Sequence, residues 1–481
     1  MAVARSTISI RFQGAGSGAG ELTWGQVELW DAIVRTGRTF NIGGALPMPP
    51  GTTAADVAVM LRFWICRHPS LRTRLRFEPD EASAGSPRRP VRPLQEVAAA
   101  GEVALHVVDV DAEDDPAAAA EELRVEFEVP AFDYANEWPV RMGVVCRDGE
   151  VTHMVVQYCH LAVDGGGIDA MVADLESLDR TSGLETAPPN GITPLELARS
   201  QSTPAGRRAS DKSLRHWANA LRGVPARRFG HAGEGCEPRF WELYCYSPAM
   251  HLALQRIADR TETNTTHVLF AAYAVALARV TGVNPSLAQT IVSNRFRPGL
   301  GPLVGAVSQP GLCVVEVADK TFDEVVALAW KAVTAGALHG YYRPDGRNEL
   351  LDRLSEEHDE PFDISCFVND RRREAELEPG RPLPSEEQVQ AALKQSMFRW
   401  ERKESTFSGS LFLQVDSGPD LTAPERITPE QLAVPAVYLE VWADTRYLPP
   451  DDMETFARTM EEITVQAAFD PAVATGVHAG S

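Results

Sequence analysis

Between Gln157 and Gly167 the chain reads QYCHLAVDGGG, a histidine and an aspartate four residues apart that run into three glycines. Histidine has an ordinary pKa of about 6.5, so near neutral pH it is mostly neutral and able to take a proton. The preceding apolar residues alternate as a strand would over 151–160, which puts Met154, Val156, Tyr158 and His160 on one face and Cys159 on the other. Cys159 and His160 therefore do not read as a nucleophile and its base. Continued as a strand at about 3.3 Å per residue, the chain would carry Asp164 roughly 13 Å from His160. The glycines predict instead a tight turn and a helix start, where free backbone amides favour a nearby negative charge. In that arrangement His160 can abstract a proton from an attacking nucleophile, while Asp164 pairs with an arginine and holds the turn. A short pattern of this kind also describes a structural histidine at a strand end, and the rest of the chain must decide between the two.

Several elements can position the motif. Ile8, Ile10 and Phe12 alternate in a strand over 6–13. The following GAGSGAG lacks the Lys-Ser/Thr ending of a phosphate loop and reads as a connector. Thr23 can cap a helix over 24–35, and a second helix over 54–68 ends at Pro69. Strand patterns follow near 71–77, 103–110 and 140–147. A helix over 167–178 carries an apolar stripe of Ile168, Met171, Val172, Leu175 and Leu178. Composition shifts to Pro, Gly, Ser and Arg over 180–212, with a short helical patch at 193–200. The predicted organisation is thus an N-terminal lobe over 1–180, a connection over 181–212 and a C-terminal lobe over 213–481. The second lobe shows helices near 211–222, 265–281 and 451–468, and strands near 287–293, 310–317, 363–368, 409–415 and 436–443. The charged segment 371–404 reads as partly helical or mobile. Strand-rich and helix-rich stretches alternate in both halves, which implies an α+β class.

The 481 residues carry 46 Lys and Arg against 67 Asp and Glu, a formal charge of −21, so a nucleic-acid partner is not expected. The seven cysteines have no close pair, which argues against a zinc site and a secreted disulfide framework alike. With no apolar window of spanning length and no leader-like start, the expectation is a soluble cytoplasmic protein without a membrane partner.

The segment RHPSLRTRL at 67–75 resembles the RHxxLRTxF signature of nonribosomal peptide synthetase condensation domains, which precedes their HHxxxDG motif as it precedes the histidine segment here. LTWGQVELW at 22–30 is similar to the family's opening SxAQxRLW helix, and HWANALRGVP at 216–225 to its interlobe YWxxxLxGxP. THVLFAAYAVALARVTG resembles the long helix of the second lobe, and SNRFRPGLGPLVGAVSQP the GRxxxxxxxxIGxFVNT region. ISCFVND and YLEVWAD fall where late strands are expected. The matches run in family order from about 22 to 468, and the chain is identified as a freestanding member of the condensation-domain group within the chloramphenicol acetyltransferase-like acyltransferases.

That resemblance implies two chloramphenicol acetyltransferase-like lobes arranged in a V around a central tunnel. The implied activity is transfer of an acyl or aminoacyl group from a carrier-protein thioester to an acceptor amine, forming an amide. His160 is then the base or positioning group, Gly165 offers its amide to the oxyanion, and Asp164 is structural. Arg67 is the favoured partner of Asp164 and Arg295 the other candidate; Asn369 and Gln309 are expected to face the tunnel. No metal and no bound cofactor are implied, because the phosphopantetheine thioester arrives on a partner protein or the donor is an acyl coenzyme A. The carrier would need a basic patch, for which Arg207 with Arg208, Arg227 with Arg228, and Arg371 to Arg373 are candidates; the acceptor is a small molecule. Departures from the family pattern are Cys159 in place of the first motif histidine, GAVSQP in place of GxFVNT, and HGYYRPD at 339–345 in place of HQDYPFE. Ester formation, acyl coenzyme A dependence, or a catalytically silent recruitment domain are the alternatives.

Overall fold

The computed structural model describes residues 4–77, 92–179, 182–372, 382–418, 431 and 433–479. Its contacts divide the chain into two compact units, Met1–Arg208 with Ser293–Gln309, and Ala209–Val292 with Pro310–Ser481. A seventeen-residue excursion from the second half of the sequence is therefore part of the first unit.

The first unit is built on five strands, β1 (Ala4–Gln13), β2 (Asn41–Pro47), β3 (Ala100–Asp109), β4 (Val140–Arg147) and β5 (Glu150–Cys159), in the order β1-β3-β4-β5-β2. β3 and β4 run parallel and the other pairs antiparallel. The two-residue period of β5 holds: Met154, Val156 and Tyr158 join the main core with Leu61, Ile65 and Leu105. Val155 faces the other way, towards helix α3 (Pro116–Glu128), and Cys159 joins a separate cluster with Trp30, Leu75 and Phe132. β2 lies against β5, and Gly43 permits the approach because a Cβ there would collide with the Val156 carbonyl.

Helix α1 (Trp24–Thr36) begins at a capping box in which Thr23 and Gln26 satisfy each other's backbone amides, and it stops at Gly37 with φ 66°. Helix α2 (Ala54–Arg67) is also boxed, by Thr53 and Asp56. Helix α4 (Gly165–Ala173) starts two residues earlier than its apolar stripe suggests, because Asp164 caps it. It gives way at Asp174 to a 3-10 turn over Asp174–Ser177, and Val172 is left exposed. Helix α5 (Pro194–Gln201) packs beside the short strand Gly18–Gly20 and supplies Gln201, whose side-chain oxygen accepts from the Trp24 amide at 3.0 Å.

The second unit carries a seven-stranded sheet: β6 (Phe240–Ser247), β7 (Ser286–Val292), β8 (Gln309–Val315), β9 (Cys366–Asp370), β10 (Met397–Glu404), β11 (Leu411–Asp416) and β12 (Val437–Asp444). The order is β8-β7-β9-β11-β12-β6-β10. Helices Pro248–Arg260, Thr265–Thr281, Phe322–His339 and Pro450–Ala467 bury one face of it, with Cys245, Leu413 and Val441 meeting Val275, Phe322 and Phe456. A further cluster joins Trp217 on Pro204–Leu221 to Tyr342 and Leu350. No helix among the described residues is long and apolar enough to cross a membrane.

Candidate functional site

The first unit brings His160, Asp164, Gly165 and Arg295 together by two chain segments, the turn after β5 and the excursion Ser293–Gln309. His160 stands one residue beyond β5, its amide bonded to the Phe40 carbonyl at 2.9 Å. The residue is half-buried and its Nδ1 is shielded from solvent. Its Nδ1 has no hydrogen-bond partner among the described residues. An imidazole without an internal partner is free to hold its proton on Nδ1 and present a lone pair at Nε2.

Asp164 is in the opposite condition. Its Oδ1 accepts from the Gly167 amide at 2.8 Å and from Arg295 Nη2 at 2.5 Å. Its Oδ2 accepts from the Val307 amide at 2.9 Å and from the amide and hydroxyl of Ser308 at 3.1 and 2.9 Å. Burial, at 2% exposure, opposes ionisation most strongly; the Arg295 charge and the amide donors outweigh it and hold the carboxyl below its ordinary value. Five donors on one buried carboxylate leave it no capacity for proton transfer.

Arg295 organises its own loop while it reaches Asp164. Nη1 donates to the carbonyls of Leu300, Gly301 and Leu303 at 3.2, 3.2 and 2.7 Å, and Nη2 to that of Gly305 at 3.2 Å. The three motif glycines then separate by role. A Cβ at Gly166 would collide with the Arg295 side chain, and one at Gly167 would lie 2.7 Å from Val163. Gly165 is exposed, a Cβ there would meet no atom of the described residues within 4 Å, and its φ is not among the positive ones. Its amide, in the first turn of α4, is not the one that Asp164 caps.

The expected pairing of Asp164 with Arg67 is corrected. Arg67 is buried and binds Asp174 through Nε and Nη2 at 2.7 and 2.8 Å, Glu185 at 3.0 Å and the Ala187 carbonyl at 2.7 Å. It closes the far end of α4, and the 3-10 turn exists where Asp174 swings to meet it. The second arginine of RHPSLRT, Arg72, is fully buried and donates to the carbonyls of Ile65 at 3.0 Å, Ala98 at 2.6 Å and Ala15. Both arginines of that signature are thus scaffold.

Gln309 is buried at the start of β8, immediately after Ser308. Asn369 belongs to the second unit, on β9, where it shares a face with Phe367 and lies opposite Gln414 of β11. Of the basic patches, Arg207 and Arg208 are exposed, whereas Arg228 is buried, which removes it as a docking residue. Arg227 is engaged by Glu360, Arg371 by Asp416 and Arg372 by Asp370; Arg373 lies outside the described residues. Cys159 is buried and desolvation pushes its thiol up to about 12, so it is not a thiolate near neutral pH. No cluster of three metal-ligating side chains occurs among the described residues.

Two contributors were not singled out from sequence. Ser308 sits in the divergent GAVSQP and has no local signal. Gln26 does have one, the Thr23-x-x-Gln26 capping box. Its Nε2 donates to the Leu161 carbonyl at 3.2 Å, next to His160.

A sequence model described as the condensation domain matches residues 36–396, about three quarters of the chain. The chain belongs to the condensation domain family. Among curated relatives, it is 24% identical over 414 residues to phosphinothricin tripeptide synthetase PhsC of Streptomyces viridochromogenes, covering 81% of this chain and 36% of that one. To the isonitrile lipopeptide synthase of Mycobacterium tuberculosis it is 27% identical over 352 residues, covering 69% of this chain and 13% of that one. This condensation-domain chain therefore spans only a fraction of those synthetases. Solved structures of the same fold include SgcC5 from Streptomyces globisporus, with TM-score 0.66 and 17% identity over 95% of this chain and 100% of that one. The X-domain from teicoplanin biosynthesis matches with TM-score 0.64 and 18% identity over 97% and 99%.

Proposed function

We propose that this condensation domain transfers an acyl or aminoacyl group from a carrier-bound phosphopantetheine thioester to an acceptor amine, forming an amide in natural-product assembly. The observation that carries this reading is the division of labour within four residues: Asp164 is saturated and structural, and His160 is left uncommitted. His160 takes the proton as the amine nitrogen attacks the thioester carbonyl. The Gly165 amide donates to the oxygen on which negative charge develops, and such a donor can contribute about two to three orders of magnitude. The C–N bond forms, the C–S bond breaks, and the proton held by His160 goes to the departing thiolate. A thioester is already activated, so neither a metal nor a covalent enzyme intermediate is required. Gly165 supports the reading from a second side, since neither packing nor backbone conformation demands glycine there and a side chain would only obstruct an approaching substrate. The carrier is a separate or neighbouring protein domain, and exposed Arg207 and Arg208 are the remaining basic pair for its docking.

The alternative of a recruitment domain draws on the likeness to the X-domain, which has been solved in complex with OxyB. The decisive experiment incubates the purified protein with a carrier loaded with a labelled acyl group and a panel of amines and alcohols, read by mass spectrometry. Amide release that disappears in His160→Ala is the expected result. Ester release would move the acceptor class, release from acyl coenzyme A alone would move the donor, and carrier binding without any release would favour recruitment.

A further inference from the structure

The capping box at the start of α1 is more than a helix cap. Gln26 is 4% exposed, and both ends of its amide are used: Oε1 accepts from the Thr23 backbone at 2.8 Å, and Nε2 donates to the Leu161 carbonyl at 3.2 Å. Thr23 Oγ1 accepts from the Gln26 amide at 3.2 Å and donates to the Ala306 carbonyl at 3.3 Å. Between them, Gly25 lies so close to Ala306 that a Cβ would stand 2.5 Å from its carbonyl oxygen. One helical turn thus grips the residue after His160 on one side, and on the other the residue preceding Val307 and Ser308, whose amides hold Asp164.

We propose that Gln26 is a positioning residue for His160, acting through the Leu161 carbonyl and fixing the imidazole relative to the Gly165 amide. The bond goes to backbone, so it sets where the peptide after His160 sits without touching the ring or a substrate. The inference rests on the acyl-transfer reading for its catalytic consequence, but its structural consequence can be measured without turnover.

Gln26→Glu separates positioning from capping. Glutamate is as good as glutamine at the third position of a capping box, and its charge suits a helix N-terminus. The cap therefore survives, while the donor to Leu161 becomes an oxygen facing an oxygen. Misplacement of a reacting group by a fraction of an ångström to an ångström costs about ten- to a hundredfold. The expected result is a fall in kcat of about tenfold or more near pH 8 with KM within about twofold. A buried carboxyl in that place protonates on acidification and regains a donor, so the variant-to-wild-type ratio should climb towards one as the pH falls to about 5.5. Gln26→Ala loses the donor permanently and should show no such recovery. In parallel, the His160 ring resonances are followed by NMR in all three proteins; both variants should displace them, with the glutamate displacement reversing in acid.

Wild-type kinetics in Gln26→Glu at every pH, or His160 resonances unmoved in both variants, would overturn the proposal. A loss in Gln26→Ala that merely tracks its melting temperature, with the glutamate variant intact, would assign the residue to capping alone and overturn it equally. Displaced resonances in both variants, beside a wild type that releases no product, would uphold the positioning and sink the acyl-transfer reading.

Discussion

His160 and Asp164 are four residues apart and share one turn, yet the first unit treats them in opposite ways. Around Asp164 five donors converge on two oxygens: two backbone amides of the excursion, the Ser308 hydroxyl, Arg295 and the α4 amide of Gly167. Around His160 the backbone is held, by Phe40 at its amide and by Gln26 one residue on, and Nδ1 has no partner among the described residues. The glycines repeat the contrast, for Gly166 and Gly167 are required by Arg295 and Val163 and Gly165 by none of the described residues. A turn of this design concentrates its rigidity in one carboxylate and leaves the neighbouring imidazole uncommitted.

Removing the imidazole should have the largest effect. His160→Ala should abolish product release, a loss of about two to four orders of magnitude or more, with an unchanged melting temperature and unchanged carrier binding. Steady-state assays beside a thermal melt check it, and a variant with near-wild-type turnover would end the catalytic assignment.

Asp164 should fail by a different route. Asp164→Ala leaves the largely buried Arg295 beside a void, and breaking one partner of a buried pair costs up to about 3 to 5 kcal/mol. The melting temperature should drop and activity fall with it. The pH dependence carries the same signature. A carboxyl held below its ordinary value stabilises the fold above its unfolded pKa of about 3.9, and that contribution is lost as pH falls through the lower folded value. Denaturant titrations should therefore show stability falling below about pH 4 in the wild type and more shallowly in Asp164→Asn. Equal slopes would contradict the ionised, structural role.

Ser308 offers a finer cut. Ser308→Ala deletes one of three donors to Oδ2 and keeps its amide, so a cost of about 1.5 to 3 kcal/mol, the range for a bond to a charged group, is the upper bound. A chemical-denaturation comparison reads it. A loss as large as that of Asp164→Ala would mean that the hydroxyl, and not the arginine, anchors the carboxylate.

How much of this was legible follows from what kind of contact is involved. The strand alternation through Val156 and Tyr158, the cap on Thr23 and the turn at the glycines are local, and local sequence encodes them. Helices Phe322–His339 and Pro116–Glu128 were missed, since apolar periodicity alone does not reveal them, although Thr321 with Glu324 and Asp115 followed by proline cap them locally. The choice between Arg67 and Arg295 was not local. Both are arginines near motifs, and only the return of Ser293–Gln309 to the first unit selects one. The resemblance located the second arginine's segment but ranked the first ahead, because nothing in RHPSLRT discloses that Asp174 and Glu185 would claim it. Ser308 was hidden for the same reason: its partner is 144 positions away.

The mildest prediction tests the side of β5 that faces away from all of this. Cys159 replaces a histidine of the family's motif, and a chemist might suspect it of nucleophilic work. Its position argues otherwise. The thiol is packed with Trp30, Leu75, Phe132 and Leu161, its pKa is pushed up to about 12 by desolvation, and the small cavity beside it measures about 20 Å³, room for roughly one water. Cys159→Ala should retain most of the activity and lose about 1 kcal/mol as the cavity enlarges. A covalent cysteine enzyme would instead lose all turnover. Intact-protein mass spectrometry after mixing with a labelled thioester donor makes the distinction direct, because a thiol that stays protonated and enclosed acquires no label. A stable acyl adduct mapped to Cys159 would replace direct transfer with a two-step route and move the reacting centre to the opposite face of the strand.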